Sequence, residues 1–345
     1  AISPVSGALP LIPVEMSDSD ASVAIVPGQQ WPASYRVVGR DIEPASRLPM
    51  VIAHIKTGYR LRLIPAGETG LGRTDADVTE RPQHRVLFDP FWIGETEVTC
   101  RQYAWFLNEQ GPKREAGEWR ISKNDLMEYQ NGRHQERPGF DEYPVHSITW
   151  FGARDFAKWL DAGLPTEAQW ERAARAGTTT RWSWGDQWDR NAANTAERAS
   201  GVSMFQNHSQ WFTWWRDIGS GLTDSAKFIT PVRTDPPNPF GLYAIHGNVV
   251  EWCADWYNPR AYEDITDGQR MPIEATGSPI EVSYYRTGTQ GTNILPCRVV
   301  RGGAWYRAGY ASVSHTRVWF PPNETGIGVG MRPVINPRPA GSGAR

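Results

Sequence analysis

Cysteine is scarce in this chain: Cys100, Cys253 and Cys297 are the only three among 345 residues. Three thiols are too few for a disulfide framework, and an odd count leaves at least one unpaired. There is no CxxC and no Cys–His spacing of the zinc-site kind, which excludes a thiolate zinc knuckle. Two arrangements stay open: three buried thiols packed as small hydrophobes, or one disulfide between Cys253 and Cys297. Long apolar runs are missing as well. No stretch approaches 18 uninterrupted apolar residues, so no helical membrane span is encoded. Charge of one sign is also lacking, since 36 basic and 38 acidic residues leave a net charge of −2. No basic block is long enough to neutralise a run of phosphates, which argues against a nucleic-acid partner. The seven histidines (His54, His84, His134, His146, His208, His246 and His315) show no i,i+4 pair and no facial-triad spacing. Copper or iron therefore finds no support in the sequence.

What is abundant is tryptophan, with 17 residues, beside 33 glycines and 27 prolines. Large flat side chains with many turn residues indicate an irregular, loop-rich globular fold. Residues 1–58 open with a Ser-, Pro- and Ala-rich stretch and read as an extended arm or linker. The folded domain is expected over 59–335, beginning with a strand at Arg60–Ile64. Thr99 followed by Gln102 is a capping box, and Tyr103, Phe106 and Leu107 give the helix behind it one apolar face. A second helix starts at Thr149, with Ala153, Phe156, Trp159 and Leu160 on one face. A third follows Thr166 and Gln169, another capping box, with Trp170, Ala173 and Ala174 inward and Gly177 as left-handed cap. Residues 110–142 and 260–296 read as large surface insertions, and 336–345 as a flexible tail.

Several segments, in this order, resemble one family. They are Phe91-Trp92-Ile93-Gly94-Glu95-Thr96-Glu97-Val98-Thr99, Tyr143-Pro144-Val145-His146-Ser147-Ile148-Thr149-Trp150 and Leu164-Pro165-Thr166-Glu167-Ala168-Gln169-Trp170-Glu171. Phe240-Gly241-Leu242-Tyr243-Ala244-Ile245-His246-Gly247-Asn248-Val249-Val250-Glu251-Trp252 follows, then Arg298-Val299-Val300-Arg301-Gly302-Gly303-Ala304-Trp305 and Gly330-Met331-Arg332. Together they resemble the formylglycine-generating enzymes, or sulfatase-modifying factors. The resemblance implies an α+β fold, the sulfatase-modifying-factor variant of the C-type-lectin fold, with few helices around small twisted antiparallel sheets. In that family two cysteines after the Gly-Gly carry out oxidative chemistry with copper. Here residues 303–332 contain no cysteine, so the resemblance implies a member without that activity.

The resemblance also implies sites. A structural calcium would take the side chains of Asn194 and Asp224 and the carbonyls of Thr195 and Ala226, the hard oxygen donors calcium requires. A weaker second site would use Glu251 with the carbonyls of Gly247 and Val249. It lacks one oxygen donor, because Ala244 stands where the family usually has Asn or Asp. Glu251 would then be left to bond the turn at Asn248. The family's substrate groove maps onto Trp305, Tyr306, Arg307, Tyr310, Ser314, His315, Arg317 and Trp319. Aromatics with Arg are the usual make-up of binding hot spots, while Trp305 and Trp319 are also candidates for the core. His315 is the catalytic candidate as a general base, or else a satisfied pocket histidine. Asn207-His208-Ser209 and Asn323-Glu324-Thr325 match the glycosylation sequon.

Two functions compete. The first is an exported protein that binds a protein, peptide or small-molecule ligand in the groove, as an accessory or assembly subunit of a larger complex. The second is a periplasmic oxidoreductase resembling the pyoverdine-maturation oxidases. Ala1 in place of an initiator Met fits removal of a signal peptide and a periplasmic or extracellular location.

Overall fold

The computed structural model describes residues 31–217, 225–284 and 293–337. Among these described residues the architecture is α+β, with five α-helices among several small, mostly antiparallel sheets. One sheet has five strands in the order β1-β2-β3-β6-β15: Tyr35–Val37, Val51–His54, Arg60–Ile64, Phe91–Gly94 and Val334–Ile335. All its pairings are antiparallel, and β15 closes it by setting Val334 opposite Ile93. The second sheet has the order β13-β12-β9-β14: Val318–Phe320, Arg298–Arg301, Val250–Trp256 and Val329–Gly330. Its β14–β9 pair is parallel.

Three hairpins decorate this frame. They are β4–β5 (Gly67–Leu71, His84–Phe88), β7–β8 (Met127–Gln130, Arg133–Glu136) and β10–β11 (Glu281–Tyr284, Asn293–Pro296). The second lies within 110–142 and the third within 260–296, where the sequence reads insertions.

The arm expected over 1–58 is corrected for its second half. Residues 1–30 lie outside the described residues, but β1 and β2 are sheet strands. Tyr35, Ile52 and Ala53 are buried, and the Tyr35 hydroxyl donates to the Leu160 carbonyl at 2.6 Å. Three- and four-residue strands are too short to show periodicity; their register comes from β3, far along the chain. The flexible tail expected over 336–345 falls largely on 338–345, outside the described residues.

The three helices at capping signals are present. Helix α1 (Cys100–Gln110) starts at a reciprocal Thr99–Gln102 capping box. Helix α2 (Trp150–Trp159) is capped by Thr149. Helix α3 (Glu167–Arg175) has the Thr166–Gln169 box, and every one of its residues is buried. Its left-handed cap is Ala176 at φ 48°, one residue earlier than the sequence places it, with Gly177 following at φ 86°.

Helix α3 carries charge into the core. Glu171 accepts bonds from Arg175, Arg301, the Tyr262 hydroxyl and the Gly72 N–H. Buried ions persist only with such full pairing. Those cations outweigh the burial that would push the Glu171 carboxyl up, and hold it down at about 2. Two further short helices, α4 (Ala196–Ser200) and α5 (His208–Asp217), lie where the sequence reads only tryptophan-rich loops. Among the described residues no helix is long and apolar enough to cross a membrane.

Candidate functional site

The chain after β12 turns back on itself through Gly302 and Gly303, at φ 103° and 79°. A Cβ on Gly303 would lie 2.0 Å from the Ser312 hydroxyl, so only glycine admits the 308–312 turn beneath it. That turn is pinned from three directions. The Gly309 N–H donates to both oxygens of buried Glu197, at 3.0 and 2.9 Å. The Trp182 indole donates to the Gly309 carbonyl at 3.2 Å. His246 Nδ1 donates to the Ser312 carbonyl at 2.8 Å, while its Nε2 accepts from the Ser183 N–H at 3.3 Å. These two bonds fix one neutral tautomer, and burial pushes the imidazole down to about 4.

This anchoring redistributes the eight residues expected to line a groove. Trp305 is fully buried and stacks on Phe228 with centroids 5.0 Å apart. Ser314, His315 and Arg317 are buried too. Arg317 grips Glu167 with Nε and Nη2 at 2.7 and 2.8 Å, and Nη1 donates to the Thr79 and Asn258 carbonyls. It is a structural clamp, and its distant partners made that role invisible in sequence. His315 holds Nε2 3.6 Å from Glu80 Oε2; burial pushes the imidazole down to about 4 and the Glu80 carboxyl up to about 7. A buried, neutral histidine of this kind does not face an open groove. Trp319 is half-buried on β13, stacked 4.1 Å from Tyr257, with its indole donating to the Ser283 carbonyl. Tyr306, Arg307 and Tyr310 remain half-buried.

Over these last residues lies an aromatic surface that the sequence reading missed. Trp211, Trp214 and Trp215 of α5 have i, i+3, i+4 spacing and are half-buried, with Phe212 exposed. The Trp211 indole donates to the Tyr306 carbonyl at 2.7 Å, and the Trp215 ring lies 5.3 Å from Tyr306. Beside it, Trp182, Trp184 and Trp188 cluster within 5.3–6.1 Å. Trp188 rests on Gly309, where an added Cβ would meet it at 2.6 Å. A cavity of about 330 Å³ opens at this cluster, lined by Trp184, Ile245, His246, Pro236, Pro237 and Pro239 among others. The i, i+3, i+4 spacing in α5 is the signal that could have found this surface.

The three thiols are free and buried. Burial raises all of them, Cys297 to about 12 and Cys100 and Cys253 well above the ordinary thiol value. None is poised as a thiolate.

The calcium ligands divide. The Asn194 amide donates to the Phe228 carbonyl and to Asn248 Oδ1, at 2.7 and 3.0 Å, which leaves its own Oδ1 as the side-chain donor for a cation. The Thr195 carbonyl already accepts the Arg198 and Ala199 N–H groups at 3.0 and 3.3 Å, so it could ligate a cation only by giving one of them up. Ala226 donates its N–H to Asp125, which brings a further carboxylate to the loop. Asp224 lies outside the described residues. Of this set, Asn194 Oδ1 is the described oxygen that stays available to a hard cation. The second set does not keep its carboxylate. Both Glu251 oxygens are taken by Arg332 at 2.7–2.9 Å, and the Trp170 indole adds a bond at 2.7 Å. The turn at Asn248 is held by Glu97 instead. Among the described residues no three His, Cys, Asp or Glu side chains gather as a metal cluster.

The family model for the sulfatase-modifying factor enzyme 1-like domain matches residues 54–337. The chain belongs to this family. Among curated relatives, the serine/threonine-protein kinase pkn1 of Chlamydia pneumoniae is 30% identical over 251 residues, 70% of this chain and 32% of that protein. The chain thus spans about a third of that relative's length. The formylglycine-generating enzyme of Streptomyces coelicolor is 28% identical over 233 residues, 58% of this chain and 70% of that enzyme. Among solved structures, PvdO from Pseudomonas aeruginosa aligns with TM-score 0.54 at 23% identity, covering 82% of this chain and 97% of that one. The likeness supports the α+β fold of the family.

Proposed function

We propose that this family member does not generate formylglycine and binds a peptide, protein or small ligand through its tryptophan-rich surface. The observation that carries the reading is a half-buried aromatic surface over the segment after Gly303, in which no thiol stands. The family's oxidation needs thiolates, and the three thiols here are buried, unpaired and raised in pKa. Trp184, the three prolines and Ile245 wall a cavity, and Trp211 and Trp215 on Tyr306, with Arg307 next to it, supply hot-spot chemistry. That the domain is matched within a much longer kinase supports a modular role as accessory or assembly unit. The periplasmic-oxidoreductase alternative gains no support from His315, which is buried. Calcium at Asn194, Thr195, Asp224 and Ala226 belongs to the same proposal, as a structural ion.

The test is a paired measurement on the full chain with copper supplied. One arm follows conversion of a cysteinyl peptide to the aldehyde. The other compares retention of a random peptide library on immobilised protein and on its Trp184→Ala and Trp211→Ala variants. The expected result is no aldehyde, with peptides retained by the unmodified chain and released by the variants. Aldehyde formation, or equal retention on all three, overturns the reading.

A further inference from the structure

A separate cavity of about 280 Å³ lies among Thr57, Tyr59 and Arg60, the β6–α1 connection, and the loop at Val232 and Arg233. It shares no residue with the 304–317 segment. Arg60 and Arg233 line it, and behind them one buried carboxylate, Glu95, meets three guanidiniums. Arg60 Nε donates to Glu95 Oε2 at 2.8 Å, while Arg62 Nη2 and Arg233 Nη1 donate to Oε1 at 3.1 and 3.3 Å. Burial would raise the Glu95 carboxyl, but the cations, Arg233 foremost, hold it below its ordinary value. A single carboxylate balances one of the three charges and leaves two.

The side chains differ in reach. Glu95 is 5% exposed, whereas Arg60 and Arg233 are 41% and 44% exposed. Each guanidinium has five N–H donors in a fixed fork, and Glu95 engages few of them. Arg233 lies 4.9 Å over the Tyr243 ring, which fixes its plane. The other charged groups of the cavity are arranged oppositely. Arg101 is paired with Glu136, Asp141 and Glu142, so the excess negative charge sits around Arg101 and the excess positive charge around Glu95.

We propose that Arg60 and Arg233, with Arg62 behind them on Glu95, form a binding site for a tetrahedral oxyanion, carried as a phosphate or sulfate ester of a small molecule. Forked donors and uncompensated positive charge are the chemistry that recognises such groups. The cavity is near the lower end of small-molecule pocket sizes, and half-buried Trp105 in its lining offers a flat surface to the organic part.

The test is calorimetric titration of the full chain with inorganic phosphate, against sodium chloride at matched ionic strength. Saturable phosphate binding that chloride does not reproduce is expected. Arg60→Gln and Arg233→Gln should each weaken it about tenfold or more, as loss of a charged hydrogen bond does, and Arg233→Lys should retain part of it. Thermal melting of each variant checks folding, and half-exposed Arg60 serves if the Arg233 variant does not fold. Displacement of phosphate by phosphoethanolamine or by methyl sulfate tells which ester class the site takes. Phosphate heats equal to those of chloride, unchanged binding in both glutamine variants, or displacement by neither ester would overturn the proposal.

Discussion

Glu80 and His315 form a buried pair in which each side chain is held away from its charged form. The Glu80 carboxyl is pushed by burial from 4.5 up to about 7, and His315 from 6.5 down to about 4. Between pH 4.5 and 7 the folded state keeps a proton on Glu80 that the unfolded chain has lost, so this group's contribution to stability falls as pH rises. Between pH 4 and 6.5 the unfolded chain keeps a proton on His315 that the folded state lacks, so that contribution rises with pH. The two cancel over their common window. Replacing Glu80→Gln removes the first alone. Relative to the unmodified chain, the variant should gain stability as pH rises from 4.5 to 7, by up to on the order of 3 kcal/mol. Urea denaturation of both proteins at the two ends of that window reads this directly; a difference independent of pH would mean that Glu80 ionises like an exposed carboxylate. Such pairings were illegible in the sequence because their partners are remote. Glu251 reads as a calcium ligand until Arg332, 81 residues away, takes both oxygens. Arg317 reads as a groove residue until Glu167, 150 residues away, claims it. A side chain's type is local, but what satisfies it when buried is set by tertiary contact.

At the scale of elements, local signals were readable where the helix itself supplied them. Thr99–Gln102 and Thr166–Gln169 are reciprocal boxes because both partners sit within one turn, and both helices start there. Helix α5 carried a comparable signal. The Asn207 side chain accepts the Gln210 N–H at 3.1 Å, yet the same Asn207-His208-Ser209 also spells a sequon. Its aromatic face, with no residue fully buried, resembles a loop when hydrophobic residues are expected to go inside. Strands β1 and β2 lacked any local signal, since they owe their existence to pairing with β3. The consequence of a legible cap can be measured. Thr166 Oγ1 accepts the Gln169 N–H at 3.1 Å, and Gln169 Oε1 in turn accepts the Thr166 N–H at 3.0 Å. Thr166→Ala leaves the Gln169 N–H of a fully buried helix end without its partner, and should lower stability by about 1 to 2 kcal/mol. Thr166→Ser should recover most of it, because the hydroxyl is what matters. Equal denaturation midpoints for the alanine and serine variants would show that Asp255, which accepts the Glu167 N–H at 2.7 Å, caps the helix unaided.

At the scale of the whole molecule, the two sheets, helix α1 and the C-terminal segment meet at one residue. Asn248 bonds Glu97 ahead of α1, accepts from Thr230 and Asn194, and offers its carbonyl to the Trp305 N–H. Asn194 completes the junction by accepting the Asn248 N–H at 2.7 Å, and a Cβ on Gly247 would lie 2.3 Å from that same carbonyl. An ion held by Asn194, Thr195, Asp224 and Ala226 would therefore bind a joint between elements that unfold together, and its binding energy would count toward the stability of the domain. Free calcium at about a hundred times its dissociation constant would add roughly 2.7 kcal/mol. Chelation with EGTA should lower the thermal midpoint, and readded calcium, but not magnesium, should restore it, because magnesium gives up its water shell reluctantly. Asn194 is a poor residue to mutate for this purpose, since its amide also ties Phe228 to Asn248 and its loss would destabilise the protein with or without an ion. Asp224→Asn keeps the shape of the ligand while removing its charge. It should abolish the calcium-dependent shift while leaving the midpoint in EGTA near that of the unmodified chain. A midpoint indifferent to both EGTA and calcium would mean that the Asn194–Asn248 junction is held by hydrogen bonds alone.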